Sequence, residues 1–354
     1  MRILTVVGNR PQFIKAAAVS GLLREQHEEI LVHTGQHYDD TLSSVFFSEL
    51  GLARPDRELH IGDGSNTSQT ARMLSALEPL LAETRPDAVL VYGDTNSTLA
   101  GALTAAQAGF PLIHVEAGMR SFDRTMPEER NRVLSDHLSD LLLCPSESAS
   151  GHLRAEAIAG SIEVVGDVMV DVAMRWQPAA RADHQTTAAH GVMPGSYLLL
   201  TAHRAGNVDD PTRLGALVEL IGALPEPVLF PLHPRTRTRL IDSGQMAALE
   251  ALPGLITTDP LGYAEFSALV CQARAVLTDS GGVQKEAYLA GVPCLTLRAN
   301  TEWTETVQTG WNTLVGLDAA AALEALERPR PDLHPQLYGD GHAAERCVAA
   351  IGAM

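Results

Sequence analysis

The chain is poor in cysteine and in positive charge, and it lacks long apolar runs. Its four cysteines, Cys144, Cys271, Cys294 and Cys347, lie far apart with no CxxC pair among them. That excludes a disulfide framework, and it points to reduced, mostly buried thiols and a cytoplasmic compartment. Lysine and arginine number 26 against 43 aspartates and glutamates, a net charge of −17. A nucleic-acid backbone asks for a basic face, so nucleic acid is not an expected partner. The opening RILTVVG is too short for the apolar part of a signal sequence, and no later segment approaches a membrane span. No short-period repeat, coiled coil or low-complexity tract is visible.

What is present fits an ordinary soluble protein of two domains. The chain has 354 residues, 45% of them hydrophobic and 19% charged, with a mean hydropathy of +0.01. Apolar strands alternate with amphipathic helical patterns. In the first half the strands are expected at 3–7, 29–34, 88–92, 111–116, 141–144 and 162–165. The second half repeats the pattern at 197–201, 228–232, 255–257, 275–278, 294–297 and 313–315. Between them, residues 172–195 have no sustained apolar period and read as a connection, partly helical. Such alternation implies α/β architecture, with two doubly wound parallel sheets covered on both faces. Ligands in these sheets bind beyond the carboxyl ends of the strands, so two facing domains are expected to hold the site in a central cleft.

Chemistry-bearing residues gather at those strand ends. Asp279 to Gly282 turns from a strand directly into a helix, and Ser280, Gly281 and Gly282 offer free N–H groups and a positive dipole end to a diphosphate. Glu286, one turn later, is placed to accept ribose hydroxyls. In GNRPQFIKAA, Arg10 and Lys15 have a spacing that suits a phosphate. Gln36 and His37 follow another strand as candidate substrate contacts, although loop capping explains them nearly as well. Asp94 and Glu116 each end a strand, and Glu128 lies one helical turn before Arg132. Asp94 also reads as a helix cap, and Glu128 as a partner for its helix dipole and for Arg132. Glu116 resists such a reading, because an ionised group ending an apolar strand is costly to bury without a pairing or a function. His203 and Arg204 end one strand of the second half, and His233 ends another.

In this order and spacing, GNRPQFIKAA, TGQHYDD, VYGDTNSTLAGAL, HVEAGMRSFDRTMPEERNR, HRAGN and TDSGGVQKEAYLAGVPCLTLR resemble the non-hydrolysing UDP-N-acetylglucosamine 2-epimerases over almost the whole chain. The resemblance implies a GT-B arrangement of two Rossmann-like domains, drawn as residues 1–170 and 171–339. A last helix, within about 340–354, would return to the first domain. It also implies a UDP-sugar substrate, no cofactor, no metal and a homodimer. The reaction implied is elimination of UDP to a 2-acetamidoglucal, return of a proton to the opposite face, and re-addition of UDP. By that likeness Asp94, Glu116 and Glu128 are the catalytic carboxylates, and His203 assists UDP departure. Arg10, His203, Ser280, Gly281 and Gly282 contact phosphate, Glu286 the ribose, Phe266 the uracil side and Arg132 the substrate. Gln36, Arg204 and His233 would belong to a regulatory site for a second UDP-sugar.

Two positions depart from the commonest family pattern. Gly206 stands before Asn207 where a glutamate is frequent, and Trp303 stands in TEWTE where an arginine is frequent. Neither touches the acids, but both leave the sugar and its regulation open. A diacetamido-uronate analogue is the close substrate variant. A GT-B glycosyltransferase and a catalytically silent nucleotide-sugar sensor are the readings from other classes.

Overall fold

The computed structural model describes residues 1–36 and 51–354, so His37 lies outside the described residues. The chain divides into two compact units, Met1–Met174 with Gln336–Met354, and Arg175–Pro335. Each unit is built on one parallel sheet.

In the first unit the strands are β1 (Arg2–Val7), β2 (Glu28–His33), β3 (Arg57–Glu58), β4 (Ala88–Tyr92), β5 (Leu112–Val115), β6 (Leu141–Cys144) and β7 (Ser161–Val164), in the order β3-β2-β1-β4-β5-β6-β7. Unbroken apolar runs make the central strands, because a parallel sheet is covered on both faces. β4 is AVLVY, buried at every residue. β3, two exposed residues on the edge, has no apolar run and carries no sequence signal. Helix starts follow cap chemistry. The Asn9 side chain accepts the Gln12 N–H at 3.3 Å with Pro11 just inside the helix Arg10–Gln26, and Thr95 and Thr98 cap Asn96–Ala108 reciprocally. The order reverses between β1 and β4, which is where an open α/β sheet parts its following loops and receives a ligand.

The second unit repeats the plan with β8 (Leu198–Thr201), β9 (Val228–Pro231), β10 (Leu255–Thr258), β11 (Ala275–Thr278), β12 (Cys294–Thr296) and β13 (Asn312–Leu314), ordered β10-β9-β8-β11-β12-β13. Its reversal falls between β8 and β11. Core side chains such as Leu200, Phe230 and Leu277 pack on one face, and Leu199, Leu229 and Val276 on the other.

Two features differ from the sequence reading or extend it. Residues 172–195 are mostly helical, in Val168–Ala182 and His184–Ala189. Asp183 caps the second of these by accepting the Thr186 N–H at 3.1 Å, a local bond that apolar periodicity does not register. The last helix, Ala343–Gly352, packs on Arg10–Gln26 in the first unit, and the Asp171 carboxylate accepts its first N–H groups from Ala343 and Ala344 at 3.1 and 2.7 Å. Among the described residues no helix is long and apolar enough to cross a membrane.

Candidate active site

In the first unit the polar residues collect where β4 and β5 end. Gly93 and Glu116, the residues following these strands, both adopt left-handed backbone, with φ of +62° and +68°. For Gly93 this costs little. For a glutamate it is a strained conformation, of order 1–3 kcal/mol, kept only where the surroundings impose it. The Glu116 N–H is held by the Leu143 carbonyl at 3.0 Å, and its carboxylate meets the Lys15 ammonium in an ion pair with both side chains about nine-tenths buried. A Cβ on Gly93 would lie 3.0 Å from Lys15 Nζ and 3.1 Å from Glu116 Oε2, so a side chain there would push the pair off the strand end by a few tenths of an ångström.

Asp94 is next to this pair. Its carboxylate bonds Arg132, which rises from the helix Pro127–Leu138 and is 2% exposed. Burial lifts the Asp94 carboxyl above its ordinary range. Arg132 pulls it back, Glu128 pushes it up, Lys15 lowers it and Glu116 raises it again. Although its surroundings are those of a buried acid, 32% of the Asp94 side chain remains exposed, so the group is reachable. Three carboxylates, an ammonium and a guanidinium thus share one electrostatic neighbourhood at the ligand edge of the sheet. One acid there is biased toward its protonated form.

A further layer supports these groups. Glu129, 3% exposed, accepts the Ser121 N–H, the Ser121 hydroxyl and the Phe122 N–H, each at 2.9 Å, and pairs with Arg132 at 3.3 Å. Asp136 accepts from Arg120 at 2.6 Å and the Gly118 N–H at 3.2 Å, and stands 2.7 Å from His114 Nδ1. Gln36 turns its side-chain oxygen toward Ser97, accepting the N–H at 3.0 Å and the hydroxyl at 2.7 Å. This is the loop-capping role that the sequence left open for it.

In the second unit the equivalent edge is organised by Asp279. Fully buried, it accepts the backbone N–H of His203 at 3.0 Å and of Arg204 at 2.9 Å, and the Asn207 amide at 3.1 Å. Three donors on one carboxylate fix the HRAGN turn beside the start of the helix Gly281–Leu289. The half-exposed His203 ring stacks on His233 with centroids 5.0 Å apart, and His233 Nδ1 accepts the Arg235 N–H at 3.1 Å, which caps Pro234–Asp242. Ser280, at the cap of Gly281–Leu289, leaves its hydroxyl out of the capping bond, and Glu286 is half-buried one turn on. Glu302 and Trp303 pack against the helix start. A Cβ on Gly281 would meet Glu302 Oε1 at 2.1 Å, and Glu302 pairs with Arg298 at 3.0 Å. The Lys285 ammonium sits 4.4 Å from the Trp303 ring centroid. Phe266 is 3% exposed and packs in the unit's core beside Tyr197 and Leu269. Gly206 borders open space, so its glycine is not imposed by packing.

Within the first unit the structure therefore brings together Lys15, Asp94, Glu116, Glu128 and Arg132, with Arg10 opening the helix that carries Lys15. Within the second it groups His203, Arg204 and His233 at one strand edge, and Ser280, Gly281, Gly282 and Glu286 along one helix start. Sequence reasoning missed Asp279 as a turn-organising acid, although it ends a strand as Asp94 and Glu116 do. It also missed Glu129, His114 and Asp136. The available signal for His114 was a lone polar residue inside the apolar strand LIHV.

A family model described as UDP-N-acetylglucosamine 2-epimerase matches residues 22–352. A UDP-N-acetylglucosamine 2-epimerase homolog of Methanococcus maripaludis is 44% identical, with 99% of each chain covered. A UDP-2,3-diacetamido-2,3-dideoxy-D-glucuronate 2-epimerase of Pseudomonas aeruginosa is also 44% identical, over the whole of both chains. Among solved structures, a Methanocaldococcus jannaschii UDP-GlcNAc 2-epimerase in complex with UDP-GlcNAc and UDP is 39% identical and superposes with a TM-score of 0.94, covering all of both chains.

Proposed function

The chain belongs to the UDP-N-acetylglucosamine 2-epimerase family, and from that premise we propose that it interconverts UDP-N-acetylglucosamine and UDP-N-acetylmannosamine. The observation that carries this reading is the neighbourhood of Asp94, Glu116 and Glu128 around Lys15 and Arg132.

The hydrogen on C2 of the sugar has no adjacent carbonyl, so removing it directly is too costly. Loss of UDP from C1, before or together with deprotonation, makes C1 electron-poor and acidifies that hydrogen. The proposed course is anti elimination of UDP to 2-acetamidoglucal, return of a proton to the other face of C2, and re-addition of UDP to C1. Such a course needs acid and base groups for two faces and donors for the departing diphosphate. An ionised carboxylate held by Lys15 is suited to accepting the C2 proton. Asp94, biased toward its protonated form, is suited to returning one. Glu128 and Arg132 shape the field between them.

For UDP, the helix start at Ser280, Gly281 and Gly282 supplies N–H groups and a dipole end, His203 and Arg10 add donors, Glu286 takes the ribose and Phe266 backs the uracil. Gln36, Arg204 and His233 are assigned to a regulatory site for a second UDP-sugar. A soluble, cytoplasmic homodimer completes the proposal.

A diacetamido-uronate form of the sugar is the second reading, favoured by the full-length 44% identity to the Pseudomonas aeruginosa enzyme. Incubation with each UDP-sugar in D2O, followed by NMR, decides the matter. Deuterium at C2 in a manno product with its UDP linkage intact supports epimerisation. Its appearance only with the uronate selects the second reading, and UDP release only with an added acceptor would replace both by glycosyl transfer.

A further inference from the structure

Resting on the epimerase reading, we infer that His114 is held with both ring nitrogens protonated and acts as a positioning residue for the hydrogen transfer, clamping the Gly93 carbonyl that sets the direction of Asp94. His114 lies on β5, two residues before Glu116, and is fully buried. Its Nε2 is 2.7 Å from the Gly93 carbonyl oxygen, which can only accept, so Nε2 carries hydrogen. Its Nδ1 is 2.7 Å from Asp136 Oδ1. The other Asp136 oxygen takes the Arg120 guanidinium at 2.6 Å and the Gly118 N–H at 3.2 Å, so every other neighbour of this carboxylate is a donor. The carboxylate is ionised, and Nδ1 must also donate. A neutral imidazole would turn a lone pair toward one of its two acceptors.

The surrounding charges agree with this assignment. Burial alone would raise the Asp136 carboxyl, but His114 and Arg120 outweigh burial and hold it below the ordinary carboxylate range. Arg120 is in turn neutralised by Glu156 through bonds of 2.8 and 2.7 Å. The Cys144 thiol near Asp136 is pushed up to about 12, chiefly by burial, and so adds no charge. The two cations therefore face two carboxylates with no charge left over.

The consequence falls on Asp94. Gly93, at φ +62°, donates its N–H to the Val115 carbonyl at 3.0 Å and gives its own carbonyl to His114. Both peptide groups of the turn are thereby fixed, one of them by a charge-assisted bond, which is roughly twice as strong as a neutral one. Asp94 leaves β4 from that fixed turn.

The test has a spectroscopic and a kinetic arm. In the 15N-histidine-labelled protein, the His114 ring is assigned by its slow exchange with solvent and by its shift in Asp136→Asn. Both of its nitrogens are expected at protonated positions, since each faces an acceptor at 2.7 Å. One unprotonated nitrogen on that ring in the wild type overturns the inference. Kinetically, His114→Gln and Asp136→Asn should each lower kcat for C2 exchange by about 10- to 100-fold with KM within about threefold, as small misplacements of a reacting group do. The double variant, in which one side-chain amide can bridge the Gly93 carbonyl to the other amide without charge, should recover part of that loss. A folded His114→Gln with wild-type kcat overturns the positioning role. If the wild type itself fails to epimerise either UDP-sugar, the functional reading falls, while the spectrum still decides the state of His114.

Discussion

Lys15, in the second turn of the helix Arg10–Gln26, and Glu116, directly after β5, form an ion pair, and Gly93 is the residue that leaves room for it. The chain has only two lysines against 24 arginines, and both, Lys15 and Lys285, are buried. Wherever a surface cation serves, this protein uses arginine. At Lys15 a compact ammonium fits against the strand end where a planar fork does not. Lys15→Arg is therefore expected to fail as a replacement. Both Lys15→Arg and Lys15→Met should lower the rate of C2 exchange by at least about tenfold. Lys15→Met, which strips a buried carboxylate of its cation, should also lose roughly 3 kcal/mol of stability by denaturant titration. Full activity in Lys15→Arg would refute the pairing argument.

Glu129 ties the loop after β5 to Arg132, and through Arg132 to Asp94. In Glu129→Gln an amide NH2 faces groups that are themselves donors. The expected cost is roughly 1–3 kcal/mol in stability, accompanied by a fall in kcat with UDP affinity unchanged. Thermal unfolding and isothermal titration with UDP measure the two effects separately.

These supporting residues mark the limit of what the sequence makes legible. Strand ends such as Asp94, Glu116 and His203 are visible because a charged or titratable group breaks an apolar run, and helix starts are visible from their caps. Glu129 beside Glu128, and Asp136 within PEERNRVLSDHL, look like ordinary polar positions on a helix surface, because which helical face is buried depends on packing against β5 and the loop after it. The left-handed backbone of Gly93 and Glu116 is set by bonds to neighbouring strands, from the Gly93 N–H to the Val115 carbonyl and from the Glu116 N–H to the Leu143 carbonyl, and a local sequence pattern does not register such bonds. Phe266, one apolar residue in the helix Tyr263–Gln272, looks like any core position, because a contact with a nucleotide base leaves no mark on an apolar pattern. Residues 172–195 hid their helices because alanine and short polar side chains support a helix without drawing an apolar stripe.

Asp94 gives a pH signature. Burial, only partly opposed by Arg132, raises its carboxyl in the folded state, so the native protein binds that proton more tightly than the unfolded chain does. Its charged form therefore costs stability at any pH above the raised value, and the cost fades as pH falls through the window between the raised and ordinary carboxylate ranges. Asp94→Asn should be inactive yet more stable than the wild type at neutral pH, with the difference in Tm shrinking as the medium is acidified. A variant less stable at neutral pH would show that the Arg132 pair outweighs burial.

At the helix start of the second unit, two glycines have opposite sensitivities. Gly281→Ala would drive a methyl group into the Glu302 carboxylate at 2.1 Å, whereas Gly206 borders open space. UDP affinity should fall by at least about tenfold in Gly281→Ala, about 1.4 kcal/mol, and stay unchanged in Gly206→Ala. Equal losses in both would mean that the helix start is not the nucleotide's seat.

The division of labour between gripping UDP and moving the C2 hydrogen is tested most directly in one preparation of Glu116→Gln. Solvent deuterium incorporation at C2 of the UDP-sugar is followed by NMR, and UDP binding by calorimetry. The account predicts that exchange is lost while the UDP Kd stays within about threefold of the wild type, since the removed group acts on the hydrogen rather than the nucleotide. Exchange persisting at the wild-type rate would contradict it.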